Sequence, residues 1–329
     1  MASPRVSISR RLPEAGLAPL FDAGLTVDMR QADDPCPREE LLARVLGATA
    51  AITLLTDRVD DAFLDAAGDS LRIVANYAVG YDNVDVAACS RRGVAVANTP
   101  DVLTEATADH AFALLLAVAR RLREGHALAA SGRWSGWQPM QLLGRDVGGA
   151  TLGIVGMGRI GGAVARRGLG FGMRVLYHNR HRDEAAEAEL GVRHADLDTL
   201  LGESDVVSLH APLTPETRHL IDADALGRMK PTAILVNTGR GPLVDEEALV
   251  DALASGRLWG AGLDVFEHEP SIHPGLRDLA NVVLAPHTGS ATDRARTGMA
   301  RLCAEATVAV LAGRRASNLV NPDALPNAC

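Results

Sequence analysis

The sequence predicts an α/β fold of two domains, each built on a doubly wound parallel sheet, with the second domain inserted into the first. Three observations support this prediction. The chain has 329 residues, which is too long for one ordinary core. Short apolar runs alternate with amphipathic ones in two successive series. A glycine-rich turn follows the first predicted strand of the second series.

The first series of apolar runs ends near residue 100. Amphipathic segments such as REELLARVLG and DDAFLDAAG separate these runs. This alternation implies a parallel sheet with helices on both faces. The predicted strands are VSIS (6–9), LTVDM (25–29), AAITLL (50–55), RIVA (72–75) and VAVA (94–97).

The second series begins after HAFALLLAVARRLREGHAL (110–128), which predicts one long helix, apolar in its first half. Six strands with helices between them match the number expected of a full dinucleotide-binding sheet. The predicted strands are TLGIV (151–155), MRVLY (173–177), DVVSL (205–209), AILVN (233–237), GAGLDV (260–265) and NVVLA (281–285).

A last helix is predicted from about Ser290 to Ala312, and it has no strand partner nearby in the sequence. We therefore expect it to return to the first domain, which makes that domain discontinuous. The expected limits are 1–100 with 287–329 for a substrate-binding domain and 101–286 for the inserted dinucleotide-binding domain.

The segment TLGIVGMGRIGG places Gly156, Gly158 and Gly161 after a predicted strand and at the start of a predicted helix. In this context a GxGxxG pattern is typical of a Rossmann-like dinucleotide site. Gly156 would make the tight turn, Gly158 would let the backbone approach a pyrophosphate, and Gly161 would allow close helix–strand packing. Because a helix N-terminus attracts phosphate, we expect Arg159 and Ile160 of its first turn to contact the cofactor as well.

The stretch RVLYHNRHR (174–182) ends the next strand, where an NAD-binding domain normally has an acid for the ribose hydroxyls. This chain has Asn179, Arg180 and Arg182 there instead. An acid would repel a 2′-phosphate, whereas each arginine donates charge-assisted hydrogen bonds worth roughly 1.5–3 kcal/mol. The prediction is NADPH. The alternative is that these residues are merely exposed and NADH binds, so NADH is the weaker alternative cofactor.

Three polar residues follow later strands. Arg240 ends AILVNTGRG, Glu269 lies in GLDVFEHEP, and His287 lies in NVVLAPHTGS. Ligands in open α/β sheets bind outside the carboxyl ends of strands. A guanidinium grips a carboxylate with two hydrogen bonds and polarises a neighbouring carbonyl. A histidine beside a carboxylate holds its proton more readily, so it protonates an oxygen as hydride arrives at carbon. The three residues together predict a reaction site.

Over nearly its whole length the sequence resembles the D-isomer-specific 2-hydroxyacid dehydrogenase family, and most of all its glyoxylate/hydroxypyruvate reductases. The segments that carry this resemblance stand in family order. They are NYAVGYDNVD (76–85), NTPDVLTEATADHAFALLLA (98–117), GIVGMGRIG (153–161), LHAPLTPETRHLI (209–221), NTGRG (237–241), DVFEHEP (264–270) and PHTGSAT (286–292).

The resemblance implies reduction of a small 2-oxo acid, glyoxylate or hydroxypyruvate, by a nicotinamide cofactor. Arg240 would bind the carboxylate and carbonyl of the substrate, His287 would be the acid/base, and Glu269 would orient His287. The cofactor would also contact a further set of residues, which are Thr107, Pro212, Thr217, Thr238, Gly239, Asp264 and Gly289.

The resemblance also implies substrate contacts outside the inserted domain. Backbone N–H groups of Val79 and Gly80 would bind the substrate carboxylate, and Leu55 would line a small pocket suited to two- or three-carbon acids. The family is usually dimeric through the inserted domain. In GRWSGWQP, Trp137 is the candidate to reach the substrate of the partner subunit in a homodimer.

Composition argues against several classes of function. The formal net charge of −8 argues against nucleic acid as a partner, because phosphate binding needs clustered positive charge. Lys230 is the only lysine, and it stands before Pro231 at an apparent helix end, which excludes Schiff-base chemistry and a P-loop. The four cysteines lack metal-ligand spacing, so we expect no metal site and a reducing compartment.

The apolar stretches of the sequence predict its location in the cell. The longest of them, 111–119, is too short for a membrane span, and no signal peptide starts the chain, so a cytoplasmic protein is expected.

Two alternatives stay open. A phosphite or D-lactate dehydrogenase of the same superfamily is one, since GWQP also resembles phosphite dehydrogenases, although those tend to keep an acid at the position of Asn179. Formate dehydrogenases pair their histidine with glutamine, so Glu269 weighs against that branch. The second alternative is a non-catalytic nicotinamide-sensing binding protein, because fold and motifs do not by themselves establish catalysis.

Overall fold

The computed structural model describes residues 3–324. The chain divides into two compact units. The outer unit comprises the residues up to Leu103 and those from Ala291 onward, and the inserted unit is Thr104–Ser290. The sequence-based limits lay at 100/101 and 286/287.

The outer unit contains a five-stranded parallel sheet in the order β2-β1-β3-β4-β5. Its strands are β1 Arg5–Ile8, β2 Thr26–Met29, β3 Ala50–Thr53, β4 Ile73–Asn76 and β5 Ala95–Ala97. Each coincides closely with a predicted strand. The helices between them are α1 Glu14–Asp22, α2 Arg38–Val45, α3 Asp61–Ala67 and α4 Val86–Arg91.

Local sequence explains where these elements lie. Every residue of β3, β4 and β5 is buried, as expected for strands covered by helices on both faces. Asp60 and Asp85 begin α3 and α4, because each side chain accepts a hydrogen bond from a backbone N–H of the first turn.

The inserted unit contains a seven-stranded parallel sheet in the order β12-β11-β10-β9-β6-β7-β8. Its strands are β6 Thr151–Val155, β7 Arg174–His178, β8 Arg193–His194, β9 Val206–Leu209, β10 Ile234–Asn237, β11 Gly260–Leu263 and β12 Val282–Leu284. The six predicted strands are all present. β8 was not predicted, because an edge strand of two residues is too short to show an apolar pattern. The two parallel sheets confirm the predicted α/β fold class.

The helices of the inserted unit are α5 Thr104–Ala119, α6 Leu122–Ala130, α7 Arg159–Gly170, α8 Glu184–Leu190, α9 Leu197–Glu203, α10 Ala223–Arg228, α11 Glu246–Ala254 and α12 Pro274–Asp278. Residues 241–243 form a short 3₁₀ turn. Buried side chains of α5, α7, α9, α10, α11 and α12 pack against both faces of the sheet.

The prediction of one helix over 110–128 was wrong, because the chain breaks between α5 and α6. Arg121 has a φ of 51°, and its side chain pairs with Glu124 in the first turn of α6. The backbone N–H of Arg145 donates to the carbonyl of Ala119 at 2.8 Å and so takes an acceptor that a continuous helix would use. α5 is largely buried, whereas α6 has no buried residue.

The last helix, α13 Asp293–Leu311, belongs to the outer unit and packs on α1. A Cβ added to Gly16 would lie 2.5 Å from the carbonyl oxygen of Thr297 and 2.6 Å from Cβ of Ala300. This close approach leaves no room for a side chain at residue 16. Within residues 3–324, no helix has the length and apolar character needed to cross a membrane.

Candidate active site

The three predicted catalytic residues lie at the carboxyl ends of three adjacent strands. Arg240 follows β10, Glu269 lies in the segment after β11, and His287 follows β12. Since β10, β11 and β12 are neighbours in a parallel sheet, their carboxyl ends share one edge, which is where ligands bind in open α/β sheets.

His287 and Glu269 form a direct pair. Nδ1 of His287 lies 2.8 Å from Oε2 of Glu269, and the side chains are 27% and 29% exposed. With the carboxylate ionised, Nδ1 carries the shared hydrogen, and Nε2 is the nitrogen that is left for a ligand. The other oxygen of Glu269 accepts the backbone N–H of Phe266 at 3.0 Å, which fixes the carboxylate.

Asp264 holds the backbone of the turn that carries His287. Its carboxylate accepts the N–H groups of Thr288 and Gly289, both at 2.7 Å, and its carbonyl accepts the N–H of His287 at 2.8 Å. Nε2 of His110 lies 3.1 Å from the same carboxylate, which is 1% exposed. His287 has a φ of 53°, a left-handed conformation that costs energy for this residue type and therefore needs such support.

Asn237 fixes the backbone that carries Arg240. Its side-chain oxygen accepts the N–H of Gly239 at 3.0 Å, and its Nδ2 donates to the carbonyl of Arg240 at 2.9 Å. Nη1 of Arg240 donates to the carbonyl of Gly239 at 3.0 Å. Since Asn237 is 1% exposed, it serves the turn and not a ligand.

The glycine loop joins β6 to α7 as predicted. Gly156 has a φ of 97°, and a Cβ there would lie 2.6 Å from the N–H nitrogen of Ala211. A Cβ on Gly161 would collide with the carbonyl of Gly156, whereas a Cβ on Gly158 would meet nothing within 4 Å. Open space at Gly158, beside the N-terminus of α7, is what a pyrophosphate approaching the backbone requires. Arg159 is exposed and Ile160 is half-buried in the first turn.

The predicted ribose segment after β7 is held by two separate contacts. Oδ1 of Asn179 accepts the backbone N–H of Met157 at 2.7 Å, which ties this segment to the glycine loop. Arg182 donates through Nε and Nη2 to Glu187 at 2.7 and 2.6 Å, and Tyr177 donates to the same carboxylate at 2.8 Å. These bonds lower the pKa of Glu187 to about 2. Arg180 is exposed.

The remaining predicted cofactor residues lie in three places of the inserted unit. Thr107 is buried on α5, and a Cβ on Gly289 would lie 3.4 Å from its methyl group. The hydroxyl of Thr217 donates to the carbonyl of Pro212 at 2.7 Å in the loop after β9. Thr238 and Gly239 follow β10.

His210, which follows β9, was not predicted to have a role. Its Nε2 lies 2.8 Å from Oγ of Ser208, and its Nδ1 lies 3.4 Å from Oγ1 of Thr238. Burial lowers the pKa of its imidazole to about 4, so the ring is neutral near neutral pH. His210 therefore links the carboxyl ends of β9 and β10.

The predicted substrate contacts of the outer unit lie at the carboxyl ends of β3 and β4. Leu55 follows β3, and Val79 and Gly80 follow β4, all half-buried. Trp137 belongs to the inserted unit and is 82% exposed. Within residues 3–324, no group of three or more His, Cys, Asp or Glu side chains is arranged to hold a metal ion.

Sequence reasoning missed the residues that support the site. Asn237, His110 and Glu187 contact predicted residues, but none stands in a recognisable motif for that purpose. A carboxylate five residues after Arg182 was a usable signal for an ion pair. His110 and Asp264 are separated by 154 positions, and only the fold brings them together.

Comparison with known proteins gives consistent matches. Residues 112–289 match the family model described as "D-isomer specific 2-hydroxyacid dehydrogenase, NAD binding domain". A glyoxylate reductase from Thermococcus litoralis is 50% identical over 326 residues, 98% of either chain. A crystal structure of a protein from Thermus thermophilus has a TM-score of 0.90 and 50% identity, covering 96% of this chain and 99% of that one. An NADPH-dependent glyoxylate/hydroxypyruvate reductase from Sinorhizobium meliloti, solved with NADP and malonate, has a TM-score of 0.88 and 34% identity over 100% of both chains.

Proposed function

Because the chain belongs to the D-isomer-specific 2-hydroxyacid dehydrogenase family, we propose that it reduces a small 2-oxo acid, glyoxylate or hydroxypyruvate, to the 2-hydroxy acid with NADPH. The observation that carries the proposal is the His287–Glu269 pair at the edge of the sheet that bears the glycine loop. Glyoxylate reductases that match nearly the whole chain support this substrate class.

Each catalytic residue has one task in this proposal. The bound nicotinamide would supply hydride to the carbonyl carbon of the substrate. Arg240 binds the carboxylate and offsets the charge that develops on the carbonyl oxygen. Protonated His287 gives its Nε2 proton to that oxygen, while Glu269 holds Nδ1 and stabilises the imidazolium beforehand.

The cofactor would be held by the glycine loop and by the segment after β7. The N-terminus of α7 faces open space at Gly158, which suits the pyrophosphate. Since Oδ1 of Asn179 is engaged by Met157, the group that Asn179 offers to a ligand is its Nδ2 donor. Arg182 donates one hydrogen bond from Nε and one from Nη2 to Glu187, so we assign its Nη1 to a 2′-phosphate, together with exposed Arg180. The relative solved with NADP supports this choice, and NADH is the weaker alternative.

We further propose the division of labour between the units that the sequence predicts. The inserted unit binds the dinucleotide, with Thr107, Thr238, Asp264 and Gly289 near the nicotinamide. The outer unit contributes the N–H groups of Val79 and Gly80 to the substrate carboxylate, with Leu55 as pocket lining.

A homodimer is also part of the proposal. Large apolar side chains are exposed along the segment from α6 to residue 143, and they are Leu122 (57%), Trp134 (57%), Trp137 (82%), Met140 (76%) and Leu143 (51%). Exposed apolar groups on one segment are typical of a surface that binds another protein. In a homodimer, Trp137 would reach the substrate of the partner subunit.

The test is initial-rate oxidation of NADPH and of NADH with glyoxylate, hydroxypyruvate and pyruvate, and reduction of NAD and NADP with phosphite and D-lactate. Fast turnover of NADPH with the first two acids is the expected result. Equal rates with NADH would keep the enzyme class and reject the role of the arginines. Turnover only with phosphite or D-lactate would assign the chain to that alternative. Tight cofactor binding without any turnover would favour a nicotinamide-sensing protein.

A further inference from the structure

Three successive peptide carbonyls after β4 are each held by a donor of the outer unit. The carbonyl of Ala78 accepts the backbone N–H of Thr99 at 2.9 Å. The carbonyl of Val79 accepts Nδ2 of Asn98 at 2.8 Å. The carbonyl of Gly80 accepts Nδ2 of Asn76 at 3.0 Å. Three donors thus orient three consecutive peptide planes.

A donor that fixes the direction of a peptide carbonyl also fixes the direction of the N–H group in the same plane. In a trans peptide the C=O and the N–H of the same plane point in opposite directions. The peptide bonds from Ala78 to Tyr81 are trans, because Glu269–Pro270 is the one cis peptide bond within residues 3–324. The N–H groups of Val79, Gly80 and Tyr81 therefore point away from the donors that hold the three carbonyls.

The two asparagine side chains are themselves fixed. Asn76 is fully buried, and its Oδ1 lies 3.2 Å from Oγ1 of Thr53 and from Nδ2 of Asn83. The backbone of Asn98 exchanges two hydrogen bonds with Asn318, at 3.2 and 2.6 Å. Rigid donors hold the carbonyls in place without a ligand, so the N–H groups are oriented in advance.

We propose that Asn76 and Asn98 are positioning residues that hold the N–H groups of Val79, Gly80 and Tyr81 as an anion cradle for the substrate carboxylate. This rests on the proposed function and adds a third donor, Tyr81, to the two that the sequence predicts. Successive backbone N–H groups bind anions, and donors that are fixed in advance need no reorganisation when the ligand arrives. Removal of Asn76 or Asn98 weakens binding of the carboxylate and leaves the hydride and proton transfers in place.

The decisive variant is Asn98→Ala, because Asn98 is only half-buried and its backbone bonds to Asn318 survive the substitution. We expect KM for glyoxylate and the dissociation constant of oxamate, an unreactive carboxylate, to rise by about tenfold. We expect kcat to stay within about twofold, because a contact made equally in ground and transition state changes KM alone. NADPH affinity should be unchanged. Asn76→Asp, which removes the same kind of donor isosterically, should give the same pattern if it folds.

Asn321→Ala is the matched control. The side chain of Asn321 bonds to Val96, Val94 and Ser90 in the same unit but to none of the three cradle carbonyls. It should lower Tm and leave KM and oxamate binding at the wild-type values. Wild-type KM and oxamate affinity in Asn98→Ala, or an equal rise in Asn321→Ala, would overturn the cradle. If the wild type reduces no 2-oxo acid, the proposed function fails, and the oxamate titrations still decide the cradle.

Discussion

Gly241, the residue after Arg240, packs directly on the backbone of Phe266. A Cβ added to Gly241 would collide with the carbonyl carbon and oxygen of Phe266. The N–H of Phe266 in turn holds Glu269, and Glu269 holds His287. The turn that carries Arg240 and the His287–Glu269 pair are thus connected by one backbone contact, which depends on the absence of a side chain at residue 241.

Gly241→Ala should therefore damage catalysis although no reacting group is changed. Because the colliding atoms are backbone, either the Arg240 turn or the Phe266–Glu269 segment must shift, and such a displacement costs on the order of 10²-fold in kcat/KM. Overpacking should also lower the free energy of unfolding by about 1–3 kcal/mol. Steady-state kinetics and urea unfolding measure both effects. In the control Gly202→Ala, the new Cβ on α9 meets nothing within 4 Å, and activity should be that of the wild type.

Glu269→Gln should weaken the general acid. The neutral amide keeps the size of the side chain but no longer stabilises imidazolium at His287, so kcat for reduction should fall by roughly 10²-fold. Steady-state kinetics with glyoxylate measure this loss. An unchanged kcat would contradict the role of this pair, provided that a primary isotope effect shows hydride transfer to limit the rate.

Arg240→Ala should affect the substrate and spare the cofactor. Loss of two charge-assisted hydrogen bonds should lower kcat/KM for glyoxylate on the order of 10²-fold or more, while NADPH binding changes little. Fluorescence titration with NADPH separates the two effects. Arg240→Lys should recover only part of the loss, since an ammonium group lacks the planar pair of donors. Turnover near the wild-type value in Arg240→Ala would reject the assignment.

Arg180→Ala and Arg182→Ala should each reduce the preference for NADPH. Each loses a charged donor to the 2′-phosphate, so KM for NADPH should rise by about tenfold or more while KM for NADH stays constant. Arg182→Ala also leaves Glu187 without its ion pair, so its KM for NADPH should rise more than that of Arg180→Ala. An equal change of both KM values in either variant would show a general effect on the fold.

Stability should depend on His210 in weakly acidic solution. Burial lowers the pKa of this imidazole from 6.5 to about 4, so the unfolded chain binds more protons than the folded one between these values. The free energy of unfolding should therefore fall as pH drops from 6.5 towards 4, with a contribution of at most about 1.4 kcal/mol per pH unit from this group. Urea unfolding of wild type and His210→Gln over this range should show a shallower slope for the variant.

Much of the fold was predictable because local sequence patterns specify it. Fully buried strands appear as apolar runs, and all eleven predicted strands have a counterpart, from Arg5–Ile8 to Val282–Leu284. The glycine loop was equally plain, because backbone conformation and close approach at Gly156 and Gly161 demand residues without a side chain. The break at Arg121 was not predictable, since its cause is a hydrogen bond from Arg145 to Ala119.

The sequence by itself determined the two parallel sheets and the glycine loop, and it singled out Arg240, Glu269 and His287 as the candidate catalytic residues. Short-range spacing specifies these features. The tertiary structure alone decided how that site is supported: Asp264 with His110 at the turn that carries His287, Glu187 on Arg182, and Gly241 against Phe266. These contacts join residues that lie on different elements, and their energies depend on distance and orientation in space. A pattern along the chain carries neither quantity.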